Sequence, residues 1–263
     1  MNRYTGLWKR QSIQLGDCDP VETATVFWLQ AGSYFADLRI PHDWPSLGEG
    51  HLQPQPVDAL LPFTRLMAFG GTTETTESRL LWTHQIDFQP RPGSVDEGSV
   101  FWEAGNLIED GQCETPDGLQ TYREVWVPEP LGSGNLLVLQ LDSPDIEGGI
   151  TSHPRGLLVM VGEHFIHLYD DRGYPPKYAT PDPTMLSGPE LRRLLQFQAD
   201  YGNRDSDNRL EIRLSSDSSR VGQRLDVAAE WQGECWLNRR PDRSGKPGEQ
   251  RWRVLETAPL EHL

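Results

Sequence analysis

The sequence predicts a mostly β protein, an antiparallel barrel or sandwich built from two diverged repeats with one short helix in each. Two observations lead to this fold class, and the first is the pattern of short strands. Residues 25–30 and 34–40 are rich in β-branched and aromatic side chains and flank Ala31-Gly32-Ser33, which is typical of a β-hairpin. Similar runs follow along the chain, and only one segment in each half has helical spacing.

The second observation is a repeat at a spacing of about 130 residues. The matching positions are Gly32 with Gly162, Phe35 with Phe165, Trp102 with Trp231 and, at a shorter shift of 118 residues, Tyr4 and Trp8 with Tyr122 and Trp126. These matches predict a first unit over residues 1–118 and a second over 119–263, which either close into one barrel or form two packed domains. Chance similarity between short β segments is the alternative.

The two helical segments differ in how clearly they begin. Residues 57–69 carry apolar side chains at helical spacing, but Pro62 makes any helix short or places its start at that residue. In the second half, Ser187 precedes Glu190 by three positions, the arrangement of a capping box. Leucines at helical spacing follow, so the sequence predicts a helix here.

Charge and composition exclude several classes of function. Acidic residues number 39 against 24 basic ones, and the net charge of -15 opposes binding to nucleic acid or to anionic membranes. Phosphate-binding glycine loops, metal-binding motifs and calcium loops are missing from the sequence, so we expect no cofactor and no metal.

Cys18, Cys113 and Cys235 lack any pairing motif and are interpreted as free thiols in a reducing compartment. With no signal sequence and no apolar run of about 20 residues, we expect a cytoplasmic protein.

Strand periodicity selects the first candidate site residues. On residues 34–40, Phe35, Asp37 and Arg39 point to one side and the intervening residues to the other. If that side faces a barrel interior, Asp37 and Arg39 could orient the polar group of a ligand. If it faces solvent, they form an ordinary surface ion pair worth roughly 0–1 kcal/mol.

Two further ionisable residues are predicted to lie among aromatic side chains. His84 is expected to share a strand face with Trp82, Ile86 and Phe88, where it is either an acid–base group or a core histidine. Glu124 lies between Tyr122 and Trp126 on another strand face. Its burial would raise its pKa, which favours catalysis but also occurs in structural ion pairs.

Tryptophans complete the predicted site, because most of them lie in or beside predicted strands. They either pack a core or line an apolar cavity. The predicted ligand-binding residues are Trp28, Asp37, Arg39, Trp82, His84, Trp102, Glu124 and Trp126. The leading hypothesis is a non-enzymatic barrel that binds a small, partly apolar or amphipathic ligand or acts as an interaction module with a protein partner. The alternative is an isomerase or cyclase that uses His84 or Glu124 as acid or base, with Arg39 holding an anion.

Several short motifs resemble known families. Gly6-Leu7-Trp8 resembles the GxW opening of lipocalin-like (calycin) barrels. A wider set is similar to the fungal Hri-one family: Ala68-Phe69-Gly70-Gly71-Thr72, Trp102-Glu103-Ala104-Gly105, Tyr122-Arg123-Glu124-Val125-Trp126 and Val159-Met160-Val161-Gly162. The resemblance spans most of the chain and implies a duplicated, calycin-like β architecture. It implies no catalytic residues.

Overall fold

The computed structural model describes residues 2–46, 55–116, 118–141, 154–172, 181–205, 207, 209–225, 230–232, 235–241 and 247–260, with the backbone alone described between 230 and 249. The predicted fold class is confirmed, since the chain is mostly β and its first half forms a closed antiparallel barrel. Among the described residues, no helix has both the length and the apolar character needed to cross a membrane.

The barrel has eight strands, each paired with the next along the chain, and the last closes on the first. The strands are β1 (Gly6–Leu15), β2 (Ala24–Ala31), β3 (Tyr34–Pro41), β4 (Met67–Thr75), β5 (Arg79–Asp87), β6 (Asp96–Glu103), β7 (Asn106–Thr115) and β8 (Gly118–Glu129). A short helix α1 (Val57–Leu60) and a 3₁₀ helix (Leu61–Arg65) connect β3 to β4. This helix is short, as the position of Pro62 predicts.

A second antiparallel sheet follows the barrel. Its strands are β9 (Asn135–Leu141), β10 (Arg155–Val161), β11 (His164–Asp170), β12 (Phe197–Arg204), β13 (Leu210–Ser215), β14 (Glu230–Gln232), β15 (Cys235–Pro241) and β16 (Pro247–Pro259). Helix α2 (Gly188–Leu194) joins β11 to β12, and 3₁₀ helices span Pro183–Met185 and Ser218–Arg220. The capping box predicted before α2 is confirmed, with Glu190 accepting a hydrogen bond from the Ser187 amide at 2.9 Å.

The strand order of the second sheet is β13-β12-β11-β10-β9-β16-β15-β14. The barrel, read in the direction β5-β4-β3-β2-β1-β8-β7-β6, has the same order of neighbours. Equivalent turns carry Gly32 and Gly162 at φ values of 56° and 62°, where a side chain would strain the backbone. A repeat would produce both the shared strand order and the equivalent glycine turns. The repeat itself stays a prediction.

The predicted boundary between residues 118 and 119 also stays a prediction. Strand β8 begins at Gly118 and pairs with both β1 and β7. Tyr122 and Trp126 therefore lie in the same barrel as Tyr4 and Trp8. The sequence match at a shift of 118 residues thus does not relate the barrel to the second sheet.

The barrel packs its outer surface against the second sheet. Leu38 and Ala68 from the barrel and Val159 and Leu168 from the second sheet are fully buried in one apolar cluster. The contact is close at Gly70, where a Cβ atom would lie 2.8 Å from a methyl carbon of Leu157. The alternating strand pattern thus serves two cores, one inside the barrel and one between the two sheets.

One predicted strand face is wrong. Trp82 belongs to the core inside the barrel, whereas Ile86 and Phe88 belong to the core between the sheets. The register explains the difference, because His84 is opposite Gly71 while Ile86 is opposite the adjacent Gly70. This β-bulge inserts one extra residue and reverses the side chain alternation after His84. It also directs Asp87 toward His84.

Candidate functional site

The barrel interior is lined with indole rings. Trp28 lies at the centre of this group, with ring centroids 5.8 Å from Trp8, 5.8 Å from Trp82 and 5.7 Å from Trp126. All four are buried. They meet because neighbouring barrel strands each turn every second side chain inward.

Trp102 lies apart from the polar groups of the interior. Its side chain is 51% exposed near the turn between β6 and β7, and its ring centroid lies 5.6 Å from that of Trp8. It covers the indole group rather than lining its centre.

A cluster of carboxylates and arginines is buried against these rings. We call Arg10, Glu22, Asp37, Arg39 and Glu124 the ionic cluster. Glu124 accepts hydrogen bonds from Arg10 and, at 3.3 Å, from Arg39. Arg39 also binds both oxygens of Asp37, at 2.8 and 3.2 Å, and Arg10 binds Glu22 at 2.8 Å. The cluster joins strands β1, β3 and β8 with the segment before β2.

The ionic cluster holds its charges in a water-poor setting. Burial, with help from the negative charge of Glu124, raises the pKa of Asp37 above its ordinary value although Arg39 opposes the increase. For Arg39, burial opposes the charge, but the carboxylates of Asp37 and Glu124 outweigh it and raise the pKa above its ordinary value. The Arg39 guanidinium is therefore a permanent cation at the cavity.

Glu109 on β7 is a second buried carboxyl group beside this cluster. It accepts hydrogen bonds from the Tyr122 hydroxyl at 2.6 Å and from the Trp126 Nε1 at 3.0 Å. Burial and the negative charge of Glu124 raise its pKa to about 8. Glu109 is therefore mostly protonated at neutral pH, although its neighbours donate hydrogen bonds to it.

His84 is held between two carboxylates. Its Nδ1 lies 2.7 Å from Asp87 and its Nε2 lies 2.8 Å from Asp96, while its ring stacks on Phe69 at a centroid distance of 4.3 Å. Burial opposes protonation, but hydrogen bonds to Asp87 and Asp96 outweigh it and raise the pKa to about 9. At neutral pH His84 is therefore an imidazolium that donates from both nitrogens.

The space left inside the barrel is small. A cavity of about 20 Å³ lies between the indoles and the ionic cluster, which is room for about one water molecule. Trp28 lines this cavity, and its buried Nε1 has no hydrogen-bond partner among the described residues. A ligand can enter only if side chains move.

The structure brings most of the predicted site residues together. Trp28, Asp37, Arg39, Trp82 and Trp126 all line the cavity. His84 and Glu124 adjoin it through their contacts with Asp96 and Arg39. Sequence analysis missed Arg10, Glu22, Asp87, Asp96 and Glu109. Only Arg10 had a local signal, because it follows Trp8 by two positions on one strand.

Metal binding has no counterpart in this site. Within the described part of the chain, no group of three or more His, Cys, Asp or Glu side chains is placed to hold a metal ion.

The raised pKa values predict how stability depends on pH. A carboxyl group with a higher pKa in the folded state binds more protons when folded, so its contribution to stability falls as pH rises between the two values. For Glu109 that range runs from 4.5 to about 8. His84 contributes fully below 6.5, and its contribution is lost as pH rises through about 9. We expect these two groups to lower the free energy of unfolding by a few kcal/mol as the pH rises from 4.5 to about 9.

Urea unfolding at a series of pH values measures this slope. In the Glu109→Gln variant, the free energy of unfolding should change much less between about pH 5 and pH 8 than it does in the wild type. Asp110→Asn is the matched control, because Asp110 is the next residue on β7 but forms an exposed ion pair with Arg123. Equal slopes for the wild type and Glu109→Gln would contradict the prediction.

Comparisons with known proteins agree with this architecture. A crystal structure of an uncharacterized protein, YLR301w, from Saccharomyces cerevisiae is similar, with a TM-score of 0.58 and 14% sequence identity. The match covers 96% of this chain and 98% of that chain, and at this identity it concerns the fold alone. No curated protein matches the chain. The family model described as Protein HRI1 matches residues 6–175.

Proposed function

The chain belongs to the Protein HRI1 family, and we propose that its barrel binds a small amphipathic molecule. One observation carries the proposal: charged side chains are buried beside a group of indoles around a cavity. Burying several charges costs more stability than an apolar core of the same shape. Departures from an apolar core of this kind cluster at functional sites.

The two kinds of side chain suit the two ends of an amphipathic molecule. Indoles such as Trp28 and Trp82 would pack an apolar body, and the ionic cluster would bind the polar end. The cavity must enlarge before a ligand can bind, because its volume of about 20 Å³ is far smaller than the roughly 300 Å³ of a small ligand pocket. Of the two members of the ionic cluster that line the cavity, Arg39 is better able to move, since its side chain is 20% exposed and that of Asp37 only 4%.

Binding is favoured over acid–base catalysis by the state of the two predicted catalytic groups. His84 already donates to Asp87 and Asp96. Glu124 is occupied by two guanidinium groups. A general base needs a free lone pair within reach of its substrate, so His84 is not poised for proton abstraction, while Glu124 is held in an ion pair with two cations through Oε1.

Location and partners are part of the same proposal. Cys18 and Cys113 carry free thiols, which supports a reducing compartment such as the cytoplasm. The exposed Phe101 and Trp102 on β6 support contact with a protein partner as a second role.

Tryptophan fluorescence and thermal unfolding test the binding proposal. The probes are hexanoate, hexylammonium and hexanol, which share a chain but differ in charge. We expect at least one to change the fluorescence saturably and to raise Tm. The effect should weaken in Trp82→Leu, which alters the cavity wall, and persist in Trp102→Phe, which does not. The proposal would be contradicted if the wild type responded to none of the three probes. It would also be contradicted if Trp82→Leu responded to them as strongly as the wild type does.

A further inference from the structure

The cavity wall has an unusual chemical composition. Five of its nine lining side chains are aromatic: Trp28, Phe35, Phe69, Trp82 and Trp126. Three others are carboxyl groups, namely Asp37, Asp96 and Glu109, and Arg39 alone is basic. Aromatic faces carry negative partial charge and attract cations, and nearby carboxylates add to that attraction. The wall is therefore suited to a positively charged group.

Arg39 already occupies the position of such a group. Its guanidinium carbon lies 5.4 Å from the centroid of the Phe69 ring, a cation–π distance. The same guanidinium binds Asp37 through two hydrogen bonds and reaches Glu124 at 3.3 Å. One aromatic face and two carboxylates thus hold a cation supplied by the protein itself.

We propose that the barrel takes a small organic cation, an ammonium or guanidinium group on a short chain with a hydrogen-bond acceptor, and that this cation replaces the Arg39 guanidinium. The inference rests on the proposed function and names its ligand class. Arg39 is attached through a long flexible stem and is partly exposed, so it can turn outward to solvent. Asp37 and Glu124 would then receive the ligand's cation in its place.

Trp28 is the reason for expecting a hydrogen-bond acceptor on the ligand. Its Nε1 is a donor without a partner among the described residues, and the side chain is only 2% exposed. A buried donor without a partner destabilises the folded protein. A hydroxyl or carbonyl oxygen beside the ligand's cation would satisfy it.

An anionic ligand fits the same wall poorly. Both arginines of the ionic cluster are already bound to carboxylates, Arg10 to Glu22 and Glu124 and Arg39 to Asp37 and Glu124. An anion would meet the carboxylates of Asp37 and Asp96 without a new counter-charge. Like charges placed together weaken binding.

Glu109 makes binding of a cation depend on pH. A cation beside Glu109 favours its ionised form, so affinity should increase as pH rises through about 8. The groups that face Glu109 are Tyr122, Glu124 and Trp126 from β8, Asp96 from β6 and Arg39 from β3. An anionic ligand would show the opposite trend.

Removal of the resident cation tests the inference. In Arg39→Ala the ligand no longer competes with an internal guanidinium, so its apparent affinity should increase by more than about tenfold. The probes are choline, ethylguanidinium, hexylammonium and hexanoate at matched ionic strength, with binding measured by calorimetry and Tm. Ethylguanidinium should also restore part of the Tm lost in Arg39→Ala. Arg39→Gln provides the same test if the alanine variant does not fold.

Two controls separate the outcomes. Arg123→Ala removes an exposed cation on β8 that pairs with Asp110, and it should bind the probes as the wild type does. Asp37→Asn should weaken binding of the cations. The inference would be overturned if neither Arg39 variant bound the cations more tightly than Arg123→Ala does. Binding of hexanoate but not hexylammonium would overturn it while leaving the proposed function intact. Binding of none of these probes, together with no response to hexanol, would overturn both.

Discussion

Replacing Glu124 by Gln is expected to lower the free energy of unfolding by about 3–5 kcal/mol. Glu124 is 2% exposed and binds both Arg10 and Arg39. The substitution keeps the shape of the side chain but leaves two guanidinium groups with less opposing charge in the barrel interior. Removing one partner of a buried ion pair is costly because the remaining charge has no access to water. Urea unfolding followed by tryptophan fluorescence measures the loss.

Glu97→Gln is the control for this prediction. Glu97 pairs with Arg79 at 2.9 Å, but both side chains are largely exposed, so the loss should be about 0–1 kcal/mol. Glu124→Gln should also reduce the pH dependence of stability, because the charge of Glu124 helps to raise the pKa of Glu109. Similar losses for the two variants would show that the ionic cluster is solvated and would contradict its assignment as buried.

Replacing Arg172 by Met is the second substitution with a large expected effect, again about 3–5 kcal/mol. The Arg172 guanidinium donates to the backbone carbonyls of Asp87 at 2.6 Å and Phe88 at 2.7 Å, across the contact between the second sheet and the barrel. It also binds the fully buried carboxylate of Asp170. Met retains much of the apolar stem but leaves two buried carbonyls without these donors.

Arg155→Met is the matched control for Arg172→Met. Arg155 binds the same Asp170 and donates to the Gln85 carbonyl, but its side chain is 22% exposed. Its loss should therefore be smaller, since water can reach the groups it leaves. Calorimetry should show a lower Tm for Arg172→Met, and a Tm equal to that of Arg155→Met would contradict the prediction.

Local sequence patterns predicted the parts of the fold that depend on neighbouring residues. The hairpin of β2 and β3, the shared face of Asp37 and Arg39 and the shared face of Glu124 and Trp126 were predicted from strand composition and the two-residue period of a strand. The start of α2 followed from Ser187 and its capping box. Each depends on interactions within a few residues.

The face of Ile86 and Phe88 was predicted wrongly because a bulge leaves little trace in one strand's own sequence. Gly71 is the partial signal, since a Cβ atom there would lie 2.0 Å from the Thr83 carbonyl oxygen. Glycine in a strand marks a bulge or a close approach. Which of the two it marks depends on the neighbouring strand.

The amino-acid sequence by itself determined many of the strands, which side chains share a strand face outside the bulge in β5, and the excess of acidic over basic residues. It also placed indoles and ionisable groups on the same faces. Only the tertiary structure decided which of these groups meet, because Arg10 reaches Glu124 through pairing of β1 with β8, more than a hundred positions apart. The same closure brings Glu109 beside Trp126 and leaves a cavity of about 20 Å³. Register between distant strands is set by the packing of the whole barrel, which no local pattern encodes.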